Sequence, residues 1–118
     1  MIRYLPAIAL VLLPLSAHAQ KAEKSRQEIL HCAAAAVILV EMSTIAEEKA
    51  QYRKQGDAFL EPLVNAAAGD KAREDQLLAE FRETVGQYRE KVGAAGAATQ
   101  MVAAYGDYTD CGGKGFSR

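Results

Sequence analysis

The 118-residue sequence contains no tryptophan, few prolines and cysteines, and only 7% aromatic residues. Its net charge is also small, because 14 lysines and arginines oppose 15 aspartates and glutamates. Since the sequence has no basic block, it does not indicate a nucleic-acid partner. We find no catalytic constellation, no complete set of metal ligands and no phosphate-binding loop, so we expect neither an enzyme nor a cofactor. The length suits one small domain.

The longest apolar run lies at the N-terminus. Arg3 precedes a nearly continuous apolar stretch, Leu5–Leu15, and Ala17 and Ala19 are the small residues that a signal peptidase reads. The run contains two prolines and is shorter than the roughly 20 apolar residues of a membrane span. We therefore predict a signal peptide over residues 1–19 that is cleaved after Ala19. The mature protein should be periplasmic and have no membrane partner.

Two cysteines, Cys32 and Cys111, follow the predicted cleavage site. In an oxidising compartment, two cysteines in a small domain usually form a structural disulfide. They lack the Cys-x-x-Cys spacing that tunes thiol reactivity in redox sites. We therefore predict a Cys32–Cys111 disulfide, which should stabilise the fold by roughly 4 to 5 kcal/mol because it closes a long loop.

The rest of the sequence favours helices. Good helix formers dominate it, and β-branched residues do not alternate with polar residues over the length of a strand. The sequence predicts an all-α fold, a small up-down bundle of four helices closed by the disulfide. We expect a single helical domain over residues 20–111 and a flexible, glycine-rich tail over residues 112–118.

Capping residues and glycines divide the first half of the domain. Ser25 and Glu28 have the spacing of a capping box, so helix 1 should begin at Ser25. It should run to about Gln55, before the terminator Gly56, although the polar Ser43–Thr44 step could bend so long a helix. Helix 2, over about residues 57–68, should be short and either kinked at Pro62 or begin near Glu61, because Pro62 lacks a backbone donor.

Helices 3 and 4 complete the predicted bundle. Helix 3 has an amphipathic stripe formed by Leu77, Phe81, Val85, Tyr88 and Val92. This spacing predicts one buried face. The Gly93–Gly96 segment then predicts a break before helix 4, which should end at Gly112. An even number of helices returns the chain to the end where helix 1 begins, which places Cys111 near Cys32.

The first half of helix 1 is apolar on all sides. In the second half of helix 1, one face is polar. Towards the N-terminus the same face becomes apolar, and it forms a stripe of five residues: Ile29, Ala33, Ala36, Val37 and Val40. One interpretation is a central helix that the other helices cover completely. The other is an exposed surface that binds a partner protein or a second copy of the chain. From the second interpretation we predict a non-enzymatic protein-interaction module.

Three residues of helices 3 and 4 suggest an alternative function. Tyr88, Met101 and Tyr105 have large side chains at helical spacing, and bundles often bind ligands between facing helices. The alternative hypothesis is a carrier of a small ligand with these residues in its pocket. A metal is not expected, because His31 has no second histidine in the mature chain.

Export, small size and one disulfide together resemble small periplasmic two-cysteine helical proteins, a group that includes acid-stress chaperones and immunity proteins to exported toxins. This resemblance implies immunity-like or chaperone-like partner binding and transfers no functional residue. The tail that begins at Cys111 is also similar to the haem attachment motif of the c-prime cytochromes. Lys114 and Gly115 stand where that motif has its second cysteine and its histidine, so we expect no covalently bound haem.

Overall fold

The computed structural model describes residues 24–115. Within this range the chain forms four helices, which are α1 (Arg26–Met42), α2 (Ala46–Ala67), α3 (Lys71–Gly93) and α4 (Ala97–Asp110). The connections are so short that consecutive helices lie side by side and antiparallel. The described residues contain no strand, which confirms the predicted all-α bundle.

Two sequence predictions fall outside the described residues. The predicted signal peptide, with its cleavage site after Ala19, lies in the undescribed range 1–23. The last three positions of the tail, 116–118, are also outside the described range.

α1 lies at the centre of the bundle, because it packs against each of the other three helices. Its residues from Cys32 to Ala36 are at most 4% exposed, and Ile38 and Leu39 are fully buried. A helix that is covered on every side needs apolar residues on every side. The structure therefore shows the central, buried position that the sequence left as one of two interpretations.

The chain turns between α1 and α2 at Ser43. The Ser43 hydroxyl accepts a hydrogen bond from the backbone N–H of Ile45 over 3.4 Å and donates to the Glu48 carboxylate over 3.2 Å. Serine side chains that bond to nearby backbone groups compete with helix continuation. The predicted extent of helix 1, from Ser25 to about Gln55, is therefore wrong, because the chain breaks at Ser43 where we expected at most a bend, and the second half belongs to α2.

α2 continues through Gly56 and Pro62, so the prediction of a short helix over residues 57–68 is also wrong. A Cβ atom at Gly56 would lie 3.1 Å from the Ala36 Cβ. The missing side chain thus allows α1 and α2 to approach closely. Pro62 is exposed, so water can reach the backbone carbonyl that loses its helical partner there.

The predicted starts and ends of the other helices are confirmed. The Asp70 side chain caps α3 by accepting a hydrogen bond from the backbone N–H of Arg73 over 3.2 Å.

The predicted stripe of α3 faces the core, since four of its five residues are at most 8% exposed: Leu77, Val85, Tyr88 and Val92. Gly96 and Gly112 have φ values of 97° and 91° at the two ends of α4, a conformation that residues with a Cβ rarely adopt.

The predicted disulfide joins α1 to the end of α4. The two cysteines, Cys32 and Cys111, are 79 positions apart, and their sulfur atoms lie 2.07 Å from each other. Beside them, the buried Tyr108 packs edge-on against Tyr52 and Phe59 of α2, with ring centroids 5.2 and 6.0 Å away. α4 is thereby attached to both α1 and α2.

The first part of the tail folds back onto α4. The Tyr108 hydroxyl donates a hydrogen bond to the Lys114 carbonyl over 2.8 Å. A Cβ at Gly113 would lie 2.6 Å from atoms of the Tyr108 ring, so only glycine fits this contact. Gly113 and the Lys114 carbonyl thus lie against Tyr108, whereas the Lys114 residue as a whole is exposed.

Candidate functional site: two cavities beside the disulfide

The five residues of the predicted partner-binding stripe do not form one exposed surface. Ala33 and Ala36 are at most 1% exposed, because neighbouring helices cover this part of α1. Ile29, Val37 and Val40 keep part of their surface accessible. The expected docking role of the two alanines is therefore corrected, because both belong to the core.

The three residues of the predicted ligand pocket occupy different surroundings. Met101 packs against the main hydrophobic core. Tyr105 is 37% exposed, and its ring centroid lies 6.0 Å from that of Tyr108. Tyr88 is buried and lines a cavity between the helices.

This cavity, which we call the polar cleft, has a volume of about 520 Å³ and opens between α1, α3 and α4. Its lining residues are Lys24, Gln27, Glu28, His31, Cys32, Thr84, Gln87, Tyr88, Lys91, Asp107, Asp110 and Cys111. The volume lies within the range of roughly 300 to 1,000 Å³ that is usual for small-molecule sites. Sequence reasoning identified Tyr88 but missed the polar residues, because they come together from three separate helices.

Tyr88, Asp107 and His31 form a cluster in the polar cleft. The Tyr88 hydroxyl donates a hydrogen bond to Asp107 Oδ2 over 2.6 Å, and His31 Nε2 lies 3.6 Å from the same oxygen. The ring centroids of His31 and Tyr88 are 5.0 Å apart. Since each residue comes from a different helix, the packing of α1, α3 and α4 fixes the carboxylate in one orientation.

The protonation of Tyr88 supports this arrangement. Burial raises the pKa of the Tyr88 hydroxyl, and its hydrogen bond to the Asp107 carboxylate raises that pKa further. The hydroxyl therefore stays protonated at neutral pH and donates to Oδ2. In the part of the chain that the structure describes, no hydrogen bond reaches Asp107 Oδ1, which leaves this atom as an acceptor for a ligand.

Carboxylates outnumber ammonium groups around the polar cleft. Its charged lining residues are Glu28, Asp107, Asp110, Lys24 and Lys91. The Lys24 ammonium donates a hydrogen bond to the Cys111 carbonyl over 3.0 Å and lies over the Phe59 ring. The cleft is therefore better suited to a cationic ligand than to an anionic one.

A second cavity, which we call the apolar groove, lies between α1 and α2. It has a volume of about 540 Å³ and is lined by Lys24, Ile29, Cys32, Ala58, Phe59, Pro62 and Leu63. Among the described residues that line it, Lys24 is the one that carries a charge. Both cavities thus include Cys32 and Lys24, although polar and charged side chains are more numerous around the cleft than around the groove.

Within residues 24–115, no group of three or more His, Cys, Asp or Glu side chains is placed to hold a metal ion. No helix of the range is long and apolar enough to cross a membrane. Comparison of the chain with protein family models, curated proteins and solved structures found no match.

Proposed function

We propose that this chain is an exported, non-enzymatic binding protein that carries a small organic amine in the polar cleft. The observation that supports this most is the cluster of Tyr88, Asp107 and His31, which places an oriented carboxylate in a cavity of about 520 Å³. The predicted signal peptide supports export, and the disulfide is compatible with an oxidising compartment.

An amine complements the polar cleft in two ways. Its ammonium group would donate a charge-assisted hydrogen bond to Asp107 Oδ1. Its carbon skeleton would lie against the rings of His31 and Tyr88, and the Tyr88 ring also attracts a cation. Lys91 repels the same cation from the edge of the cleft, so its removal should improve binding.

We propose binding rather than catalysis because the two hydroxyl groups of the cleft are engaged in structural contacts. The hydroxyl of Thr84, a potential nucleophile by type, donates a hydrogen bond to the Glu80 backbone carbonyl over 2.8 Å. The Tyr88 hydroxyl is similarly bonded to Asp107. Both groups therefore hold the cleft in shape.

A second candidate function is protein interaction or homodimerisation through α1. The observation that favours it is the partial exposure of Ile29, Val37 and Val40, the remainder of the apolar stripe. Light scattering during size-exclusion chromatography tests it. This function predicts a stable dimer or hetero-complex that Val40→Glu dissociates, whereas a monomer at all concentrations would contradict the homodimer.

Calorimetric titration of benzylamine into the oxidised protein tests the proposed carrier function. Benzyl alcohol and benzoate carry the same ring without a positive charge, so they are matched probes. We expect saturable, one-to-one binding of benzylamine that is about tenfold tighter than binding of either control, because only benzylamine forms the charged contact with Asp107. Equal binding of all three compounds would contradict a carboxylate-directed site.

Variants then locate the binding site. Asp107→Asn keeps an acceptor for Tyr88 but removes the charge, so we expect benzylamine to bind about tenfold more weakly. Asp57→Asn removes the same charge from an exposed position outside both cavities and should leave binding unchanged. Lys91→Gln should strengthen it. If the two asparagine variants lost equal affinity, the attraction would be general and the proposed site would be wrong.

A further inference from the structure

The apolar groove differs from the polar cleft in both its walls and its charge. Ile29 of α1 forms one wall, and Phe59 and Leu63 of α2 contribute to the other. All three side chains are partly buried, so they offer apolar surface that is accessible from the cavity. An apolar ligand that covered this surface would remove it from water, which favours binding.

Lys24 adds one positive charge to the rim of the apolar groove. Its ammonium lies 5.9 Å from the centroid of the Phe59 ring. It donates to the Cys111 carbonyl over 3.0 Å, which is an uncharged acceptor. Among the described residues, Lys24 takes part in none of the ion pairs. The groove therefore combines apolar side chains with a cation that has no counter-charge among the described residues of its lining.

We propose that the apolar groove binds a free fatty acid. The carboxylate would pair with the Lys24 ammonium, and the alkyl chain would lie against Ile29, Phe59 and Leu63. This ligand matches the groove in charge, because one anionic group meets one ammonium. It also matches the groove in polarity, because the other lining residues contribute apolar surface.

The size of the apolar groove favours such a ligand over a second copy of the chain. Seven residues of the range 24–115 line the groove, whereas a stable protein interface uses roughly 20 to 30 residues on each side. Its volume of about 540 Å³ falls within the usual range for small molecules. The inference concerns a different cavity from the amine site and does not depend on the proposed carrier function.

Binding of decanoate to the full chain, expressed for export and purified with its disulfide intact, tests the fatty-acid site. Decanol and decylamine have the same chain length with a neutral or a positive head group, and hexanoate has a shorter chain. We expect decanoate to bind about fivefold more tightly than decanol and far more tightly than hexanoate or decylamine. Equal affinity for decanoate and decylamine, or no dependence on chain length, would overturn the proposal.

The Lys24→Gln variant should abolish the preference for decanoate over decanol. Lys54→Gln removes the same charge from an exposed position of α2 that lies outside the groove, and it should preserve the preference. Methyl NMR spectra identify the cavity directly, because decanoate should shift the signals of Ile29 and Leu63. Equal effects of the two variants, or shifts confined to Val64 and Leu78 on another surface, would overturn the proposal.

Discussion

The polar cleft and the apolar groove share Cys32 and Lys24, yet the other side chains that line them differ. α1 contributes Gln27, Glu28 and His31 to the cleft, where α3 and α4 add hydroxyl, amide and charged side chains. α1 contributes Ile29 to the groove, where α2 adds Ala58, Phe59, Pro62 and Leu63. The central helix thus presents different side chains on two of its faces, and each face meets neighbours of similar character.

Removal of the disulfide should damage both cavities and has the largest expected effect. The bond joins residues 79 positions apart, so replacement of Cys32 and Cys111 by alanine should lower the free energy of unfolding by roughly 4 to 5 kcal/mol. Urea denaturation measures this loss, and wild-type protein with added reductant is the control for the substitution itself. A loss below about 1 kcal/mol would show that helix packing alone fixes this end of the bundle.

Enlargement of Gly56 should affect the apolar groove more than the polar cleft. Because a Cβ there would lie 3.1 Å from the Ala36 Cβ, Gly56→Leu should force α1 and α2 apart and destabilise the fold by about 1 to 3 kcal/mol. We expect the affinity for decanoate to change and the affinity for benzylamine to stay the same. Thermal denaturation and both titrations measure these effects.

Gly86→Ala is the matched control, since a Cβ at Gly86 in α3 meets no atom within 4 Å. Alanine is the better helix former, so this variant should be more stable by up to about 1 kcal/mol. If both glycine variants lost stability equally, the close approach of α1 and α2 would not be the cause.

Tyr88→Phe should affect the polar cleft alone and has the smallest expected effect. It removes the hydrogen bond to Asp107 and leaves the ring in place, so we expect a loss of about 1 kcal/mol at neutral pH. Benzylamine should also bind more weakly, because the carboxylate is no longer held in one orientation. Chemical denaturation and calorimetry test both effects, and unchanged decanoate binding would show that the two cavities are independent.

The same variant should change the response of the protein to alkaline pH. Burial raises the pKa of Tyr88 in the folded state above the value of about 10 in an unfolded chain. The stabilising contribution of Tyr88 is therefore fully present below about pH 10 and decreases as the pH rises further. Tyr88→Phe should thus lose stability less steeply above about pH 10. Burial also raises the pKa of Tyr108, so some pH dependence should remain.

Some of the fold could be predicted because its signals are local. The caps at Ser25 and Asp70 use side-chain oxygens that bond within one turn, and a sequence shows such spacing directly. The break at Ser43 was harder to predict, since that serine also bonds to Glu48 in the next helix. Gly56 was predicted to end a helix, because glycine often does so. It lies instead within α2, where it allows close contact with α1.

The candidate site was largely beyond sequence reasoning. Tyr88 was identified from its helical spacing, but His31 and Asp107 are 76 positions apart in the chain and share no motif. Their proximity depends on the crossing of α1 and α4 beside the disulfide. Whether the residues of the α1 stripe are buried or exposed likewise depends on which helices cover them.

The helical class, the caps, the glycine breaks around α4 and the cysteine pair could be inferred from the sequence, because each depends on neighbouring residues or on composition. The central position of α1, the place of Gly56 within a helix and the two cavities that meet at Cys32 depend on how the helices pack. A helix can bury or expose the same side chain, and the helices packed against it determine which.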